Sequence, residues 1–195
     1  MNYTIFIQPL TSQITFTVFW SQGEVISTNF LEKGNEFEHF LPFVTRILSE
    51  HHISLGDIAK IWVVNGPWAF TLLRIITLTV NTWAFVYKMP IVSIDLFQLW
   101  TLCWYPLPYA IKANRGEYLC FFSEGNSPEL STIENLPEWK YWWIGDNADF
   151  LSKNTHFEYS FDNRKVFEYI SLKNWTSQIE PVYIKKPNIT QPKSS

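Results

Sequence analysis

Apolar and polar positions alternate through the first part of the chain and then change period. Tyr3 to Ile7, Ile14 to Trp20 and Glu24 to Leu31 are β-rich runs, and Ser21-Gln22-Gly23 between the last two is a hairpin signal, so three antiparallel strands open the protein. From Glu36 to Glu50 the apolar residues Phe37, Phe40, Leu41, Val44, Ile47 and Leu48 recur at spacings of three and four, which places them on one face of a helix. Ile61 to Val64 is continuously apolar, the pattern of a strand covered on both faces, and Asn65-Gly66-Pro67 ends it with a tight turn. Phe70 to Tyr87 predicts a second helix whose Leu73, Ile76, Thr77, Val80 and Ala84 make one stripe; Pro90 closes it and Ile91 to Ile94 forms the next strand. The order β-β-β-α-β-α-β predicts an α/β layer over residues 1–104.

The style changes after Trp104. Tyr105-Pro106-Leu107-Pro108 punctuates the chain before two further β runs, Tyr109 to Ala113 and Glu117 to Phe122, joined by Asn114-Arg115-Gly116. A smaller second lobe is therefore expected over residues 105–195. It holds a polar loop from Ser123 to Glu138, an aromatic strand Trp139 to Ile144 ending in Gly145-Asp146, a helix from about Arg164 to Leu172, and a Pro-containing tail from Pro181.

Composition narrows the function classes. The chain has 195 residues, 47% hydrophobic, which supports a packed core and excludes a disordered tail protein. A net charge of -3 gives no broad electrostatic footprint for a phosphate backbone, so autonomous nucleic-acid binding is not expected. The stretch Ile61 to Ile111 is rich in large apolar residues, but Arg74, Asn81, Lys88, Pro90 and Asp95 interrupt it before a clean membrane span of about 18–20 residues is reached. Met1 to Leu10 lacks a basic stretch followed by a long apolar run, so no secretory signal and a cytoplasmic location are expected. Cys103 and Cys120 sit in apolar stretches without CxxC spacing and read as core residues, not as a disulfide or zinc site.

Candidate chemistry is sparse. Asp146, Asp149 and Glu158 have no spacing that fixes a carboxylate pair, and Ser12, Ser93 and Ser123 lack a G-x-S-x-G elbow. His51 and His52 are adjacent, so on a helix they point about 100° apart and do not face one metal together. Lys185, Lys186 and Lys193 form a short basic end that reads as solvated.

Seven pieces in the same order resemble the TsaB (YeaZ) family, whose pattern places a G-P-G-S-F-T-G-L-R loop between a buried strand and a long helix. Here that loop reads Gly66-Pro67-Trp68-Ala69-Phe70-Thr71-Leu72-Leu73-Arg74. The other pieces are Gln22-Gly23-Glu24-Val25, Glu38 to Pro42, Pro90-Ile91-Val92-Ser93, Lys112 to Tyr118 (similar to D-A-R-x-G-E-V-Y), Gly145-Asp146, and Pro181-Val182-Tyr183-Ile184-Lys185-Lys186-Pro187 (similar to P-x-Y-L-R-x-P). The resemblance implies the actin-like, Hsp70-like ATPase fold: two lobes, each built on a mixed sheet with helices. It also implies a role, that of a non-catalytic subunit pairing with the catalytic paralogue TsaD, which transfers threonylcarbamoyl to N6 of adenosine 37 in tRNA, with the ATPase TsaE serving the complex. tRNA would then be met only through the complex, and no membrane is involved.

The departures from the family pattern sharpen this expectation. Gln8 or Pro9 stands where the family tends to have Asp-Thr, and Trp68 and Leu72 stand where it has Gly, so poor or absent ATP binding and no cofactor are expected. The paralogue's H-x-x-x-H metal pair is replaced by Glu36 and His39, so no metal and no catalytic residue are expected either. Trp83 also replaces a family Gly; drift, or UGA codons read as Gly in the native cell, would each produce the substitutions at 68 and 83. Two apolar seams in a small protein exceed what one sheet covers, and in the family these helices pack against the same pair in the partner. The expected partner interface is Phe37, Phe40, Leu41, Val44, Ile47, Leu73, Ile76, Thr77, Val80 and Ala84, used with the catalytic paralogue or in a homodimer; the competing reading is that both helices only cover their own sheet. The rival function is an actin-like-fold nucleotide-dependent enzyme or peptidase-like protein acting alone.

Overall fold

Every residue of strand β1 (Tyr3–Pro9) is buried, because successive side chains point to opposite faces of a sheet that is covered on both. The computed structural model describes residues 2–9, 13–32, 36–67, 70–102, 107–114, 116–123, 127–132, 134–135, 142–144 and 162–183. Among them, β1 is the central strand of a five-stranded sheet in the order β3-β2-β1-β4-β5. β2 (Gln13–Trp20) and β3 (Val25–Glu32) join it antiparallel as a meander. β4 (Ile58–Val64) and β5 (Ile91–Ile94) add to its other side in parallel. The predicted strand at Ile61 begins three residues earlier, since Ile58 already pairs with Tyr3 across the parallel register.

Alternation sorts the core into two layers. Ile5, Ile7, Ile61, Val63 and Ile91 face helices α1 (Glu36–Glu50) and α2 (Phe70–Tyr87). Phe6, Trp62, Val64, Val92 and Ile94 face α3 (Leu96–Leu102), α4 (Asn163–Ile170) and the second sheet. That sheet has the order β8-β7-β6-β9 and comprises β6 (Tyr109–Asn114), β7 (Glu117–Phe121), β8 (Glu129–Thr132) and β9 (Trp142–Ile144). β9 runs parallel to β6, so this sheet is mixed as well.

Three local features depart from the pattern reading. Helix α3 was not expected; its signal is Asp95, whose Oδ1 accepts from the Gln98 N–H at 2.8 Å and caps the helix start. β8 lies inside the segment read as polar loop, half exposed and, among the described residues, paired with β7 alone. α4 starts one residue before the expected helix and stops two residues short, with Asp162 accepting from the Arg164 and Lys165 N–H groups at its cap.

Both long helices end on a Schellman-type turn. Ile53 N–H donates to the Leu48 carbonyl at 2.8 Å with His52 at φ 56°, and Met89 N–H donates to Ala84 at 3.2 Å with Lys88 at φ 56°. In the β2–β3 turn, Gly23 has φ 94°, and a Cβ there would sit 2.6 Å from the Phe167 ring of α4, so glycine is required twice over. Trp83, by contrast, fills space: it is buried in the layer under α1 and α2. Cys120 is buried, and that burial first, then the Glu129 charge, pushes its thiol up to about 12, as befits a core cysteine; Cys103 lies outside the described residues.

Candidate functional site

In open α/β sheets, ligands sit at the carboxyl ends of the parallel strands. Here that place is the turn Asn65-Gly66-Pro67 after β4, beside the start of α3, and a segment from the far end of the chain lies across it. Thr176 and Ile91 exchange backbone hydrogen bonds at 2.8 and 2.7 Å, adding an antiparallel bridge to the β5 edge. The Asn81 side chain on α2 then grips Ile179 on both sides: Nδ2 donates to its carbonyl and Oδ1 accepts from its N–H, each at 3.0 Å. Asn65 Nδ2 donates to the Glu180 carbonyl at 3.0 Å, and Val182 N–H donates to the Asn65 carbonyl at 2.7 Å. The Ile179 side chain is buried in the α1/α2 layer, and Tyr183 packs on Phe70 with ring centroids 4.8 Å apart.

Gly66 is fixed by this segment. Its φ is 131°, and a Cβ would lie 2.3 Å from the Val182 carbonyl oxygen. The glycine of the predicted tight turn thus makes room for a peptide strap. The Asn65 N–H donates to Ile94 at 3.1 Å and the Gly66 carbonyl accepts from Leu96 at 2.7 Å, so these backbone groups of the turn are engaged within the chain, while the buried Asn65 Oδ1 has no partner among the described residues. Leu72, at a family glycine position, is buried, and Trp68 lies outside the described residues. At the first hairpin, Gln8 is a buried, neutral residue of β1 opposite Thr15.

Titratable groups are scattered. Asp95 is held above the usual carboxylate range by burial, opposed by its bonds to Gln98 and Phe97 N–H and by the Lys173 charge. Asp57 is held below that range by hydrogen bonds from the Ser54 side chain and backbone. His39, His51 and His52 are exposed at α1 and its end. Among the described residues, no group of three or more His, Cys, Asp or Glu side chains converges. Asp146, Asp149, Glu158, Lys185, Lys186 and Lys193 lie outside the described residues.

The expected partner interface needs correction. Phe40, Val44, Ile47, Leu73, Ile76, Thr77, Val80 and Ala84 are all buried in the chain itself, because a helix that covers a sheet turns its most apolar stripe inward. Of the remaining two, Leu41 is 50% exposed and the Phe37 side chain lies outside the described residues. Yet the helices still present apolar surface on their outer side. Leu78 is 70% exposed and Phe85 74%, one helical face apart by seven residues, and Val86 and Tyr87 extend that surface toward the end of α2. The signal for this second face is that α2 is apolar nearly all round, with twelve of its residues drawn from Leu, Ile, Val, Phe, Trp, Tyr and Ala. By length and composition α2 is also apolar enough to cross a membrane, but seven of its residues are buried in this core.

No family model matches the sequence, and no curated protein matches it. Solved structures do. The chain superposes on an uncharacterised protein from Pseudomonas aeruginosa described as similar to peptidase YeaZ, with a TM-score of 0.69 and 17% identity over 95% of this chain and 100% of that one. It superposes equally on YeaZ from Pseudomonas aeruginosa, with a TM-score of 0.68 and 17% identity over 94% of this chain and 100% of the other. The shared fold is the mixed α/β, actin-like one expected from the sequence.

Proposed function

We propose that this chain is a divergent member of the TsaB (YeaZ) family and acts as a non-catalytic accessory subunit in the formation of threonylcarbamoyladenosine at position 37 of tRNA. It does so by binding and activating a TsaD-like catalytic paralogue, within a complex that a TsaE-like ATPase serves. The observation that carries this reading is the apolar outer face of α2, with Leu78 and Phe85 in water on a chain whose inner stripes are already buried. Exposed apolar surface grouped in this way marks an interface. The whole-length likeness to YeaZ and the seven sequence pieces support the choice of partner.

The mechanism is linkage: by binding the partner's competent conformation preferentially, the chain raises its population without supplying a reacting group. The engagement of the Asn65–Pro67 turn by residues 176–183 agrees with a subunit that offers no nucleotide cradle of its own. The test is light-scattering chromatography of the chain with TsaD from the same genome, using Leu78→Asp and Phe85→Asp. The proposal expects a complex with the unaltered chain and its loss with both variants, each still folded; no complex with the unaltered chain would refute it. Val80→Asp is unsuitable, since a carboxylate at a fully buried position unfolds the chain instead of probing its surface.

A further inference from the structure

The strap formed by Thr176 to Tyr183 has the properties of a docked peptide ligand. Its backbone adds to the β5 edge, the Asn81 amide reads one peptide unit from both sides, and a single aliphatic side chain, Ile179, anchors it in the core. None of these contacts depends on the strap belonging to the same molecule as the groove. The connector that delivers it, residues 171–175, follows the last turn of α4 and is exposed throughout. Within that connector Leu172 is 84% exposed and Trp175 69%, two large apolar side chains that the single chain leaves in water.

We infer that the groove between the β5 edge and α2 is an extended-peptide site that accepts the strap of a second copy, so that two chains exchange straps. Exchange conserves every strap–groove contact, which is why swapping a terminal element is a low-cost route to a dimer. A short connector favours it, because it has little slack for any rearrangement short of opening. In the exchanged pair the two connectors run beside each other, and Leu172 and Trp175 gain a surface to cover. This interface is separate from the outer face of α1 and α2.

The test uses the full chain. Protein carrying Phe70→Cys is mixed with protein carrying Tyr183→Cys, incubated at high concentration and treated with a short bis-maleimide; the control replaces the first with Thr82→Cys, an exposed site on α2 about 18 Å along the helix from Phe70. Exchange predicts a covalent heterodimer in the first mixture, growing with incubation time and well above the control. Leu172→Asp combined with Trp175→Asp is expected to suppress it while leaving a folded monomer by light scattering. A first mixture that cross-links no faster than the control, or a dimer indifferent to the connector changes, overturns the inference.

Discussion

Replacing Asn81 by Ala isolates the side chain that holds the strap. Asn81 makes two hydrogen bonds at 3.0 Å to the backbone of Ile179, whose residue is otherwise buried. Each neutral bond contributes about 0.5–1.5 kcal/mol, and an N–H or carbonyl left buried without a partner costs about 1–3 kcal/mol, so a loss of about 2 kcal/mol is expected. For a chain of this size that corresponds to a fall in Tm of about 4–8 °C. Equilibrium urea unfolding gives the free energy, and native-state hydrogen exchange gives the location. Protection should drop at the Ile179 and Thr176 amides and persist at β1, since the strap opens locally before the sheet does. Asn81→Asp should be worse than Ala, because it removes the Nδ2 donor and turns a carboxylate toward the Ile179 carbonyl. A change below about 0.5 kcal/mol, with unaltered protection at Ile179, refutes the view that the amide holds the strap.

Other outcomes follow from single residues. Trp83→Ala should cost about 3–5 kcal/mol in chemical denaturation because it empties a buried site, and a Trp83→Gly variant as stable as the unaltered chain would show that the core was built for glycine. Lys88→Gly should stabilise by roughly 0.5–1 kcal/mol, since glycine accepts the left-handed backbone at the C′ position of α2 without a Cβ penalty, as thermal unfolding would reveal. The pKa of Asp95 is raised by folding, so its ionisation destabilises the native state: stability is greatest below the unfolded value near 3.8 and is lost as pH rises through the folded pKa. Asp95→Asn, which keeps the capping oxygen, should therefore stabilise the chain at neutral pH, and the gap should close in acid; a gap that widens in acid refutes this assignment.

Much of the first lobe was legible because its signals are local. The switch from period two to period three and four between Leu31 and Phe37, and the unbroken apolar run at Ile61, mark β3, α1 and β4 without reference to anything distant. What escaped was set by distant contacts. The direction in which α2 turns depends on the sheet beneath it, so the strongest stripe, Leu73 to Ala84, became core and the weaker one at Leu78 and Phe85 became surface. Asn81 looked like a polar interruption of a hydrophobic helix, and nothing near it in sequence reveals a partner 98 residues away. Gly66 was read only as part of a tight turn, and what makes glycine necessary there is Val182, 116 residues further along the same chain. α3 was overlooked because Leu96 to Leu102 has only seven residues, too few to display a helical period.

The strap also gives the molecule a schedule. Strands β1 to β5 leave the ribosome early, but the segment that closes the β5 edge at Thr176 and fills the Ile179 socket is made 82 to 85 residues after Ile94 (176 − 94 and 179 − 94). At about 5–20 residues per second, the first sheet and α2 wait roughly 5–20 s with that groove empty. During translation the lobe is thus an unfinished receptor for its own strap, and on a crowded polysome the nearest matching segment belongs as readily to a neighbouring nascent chain as to the one still being made.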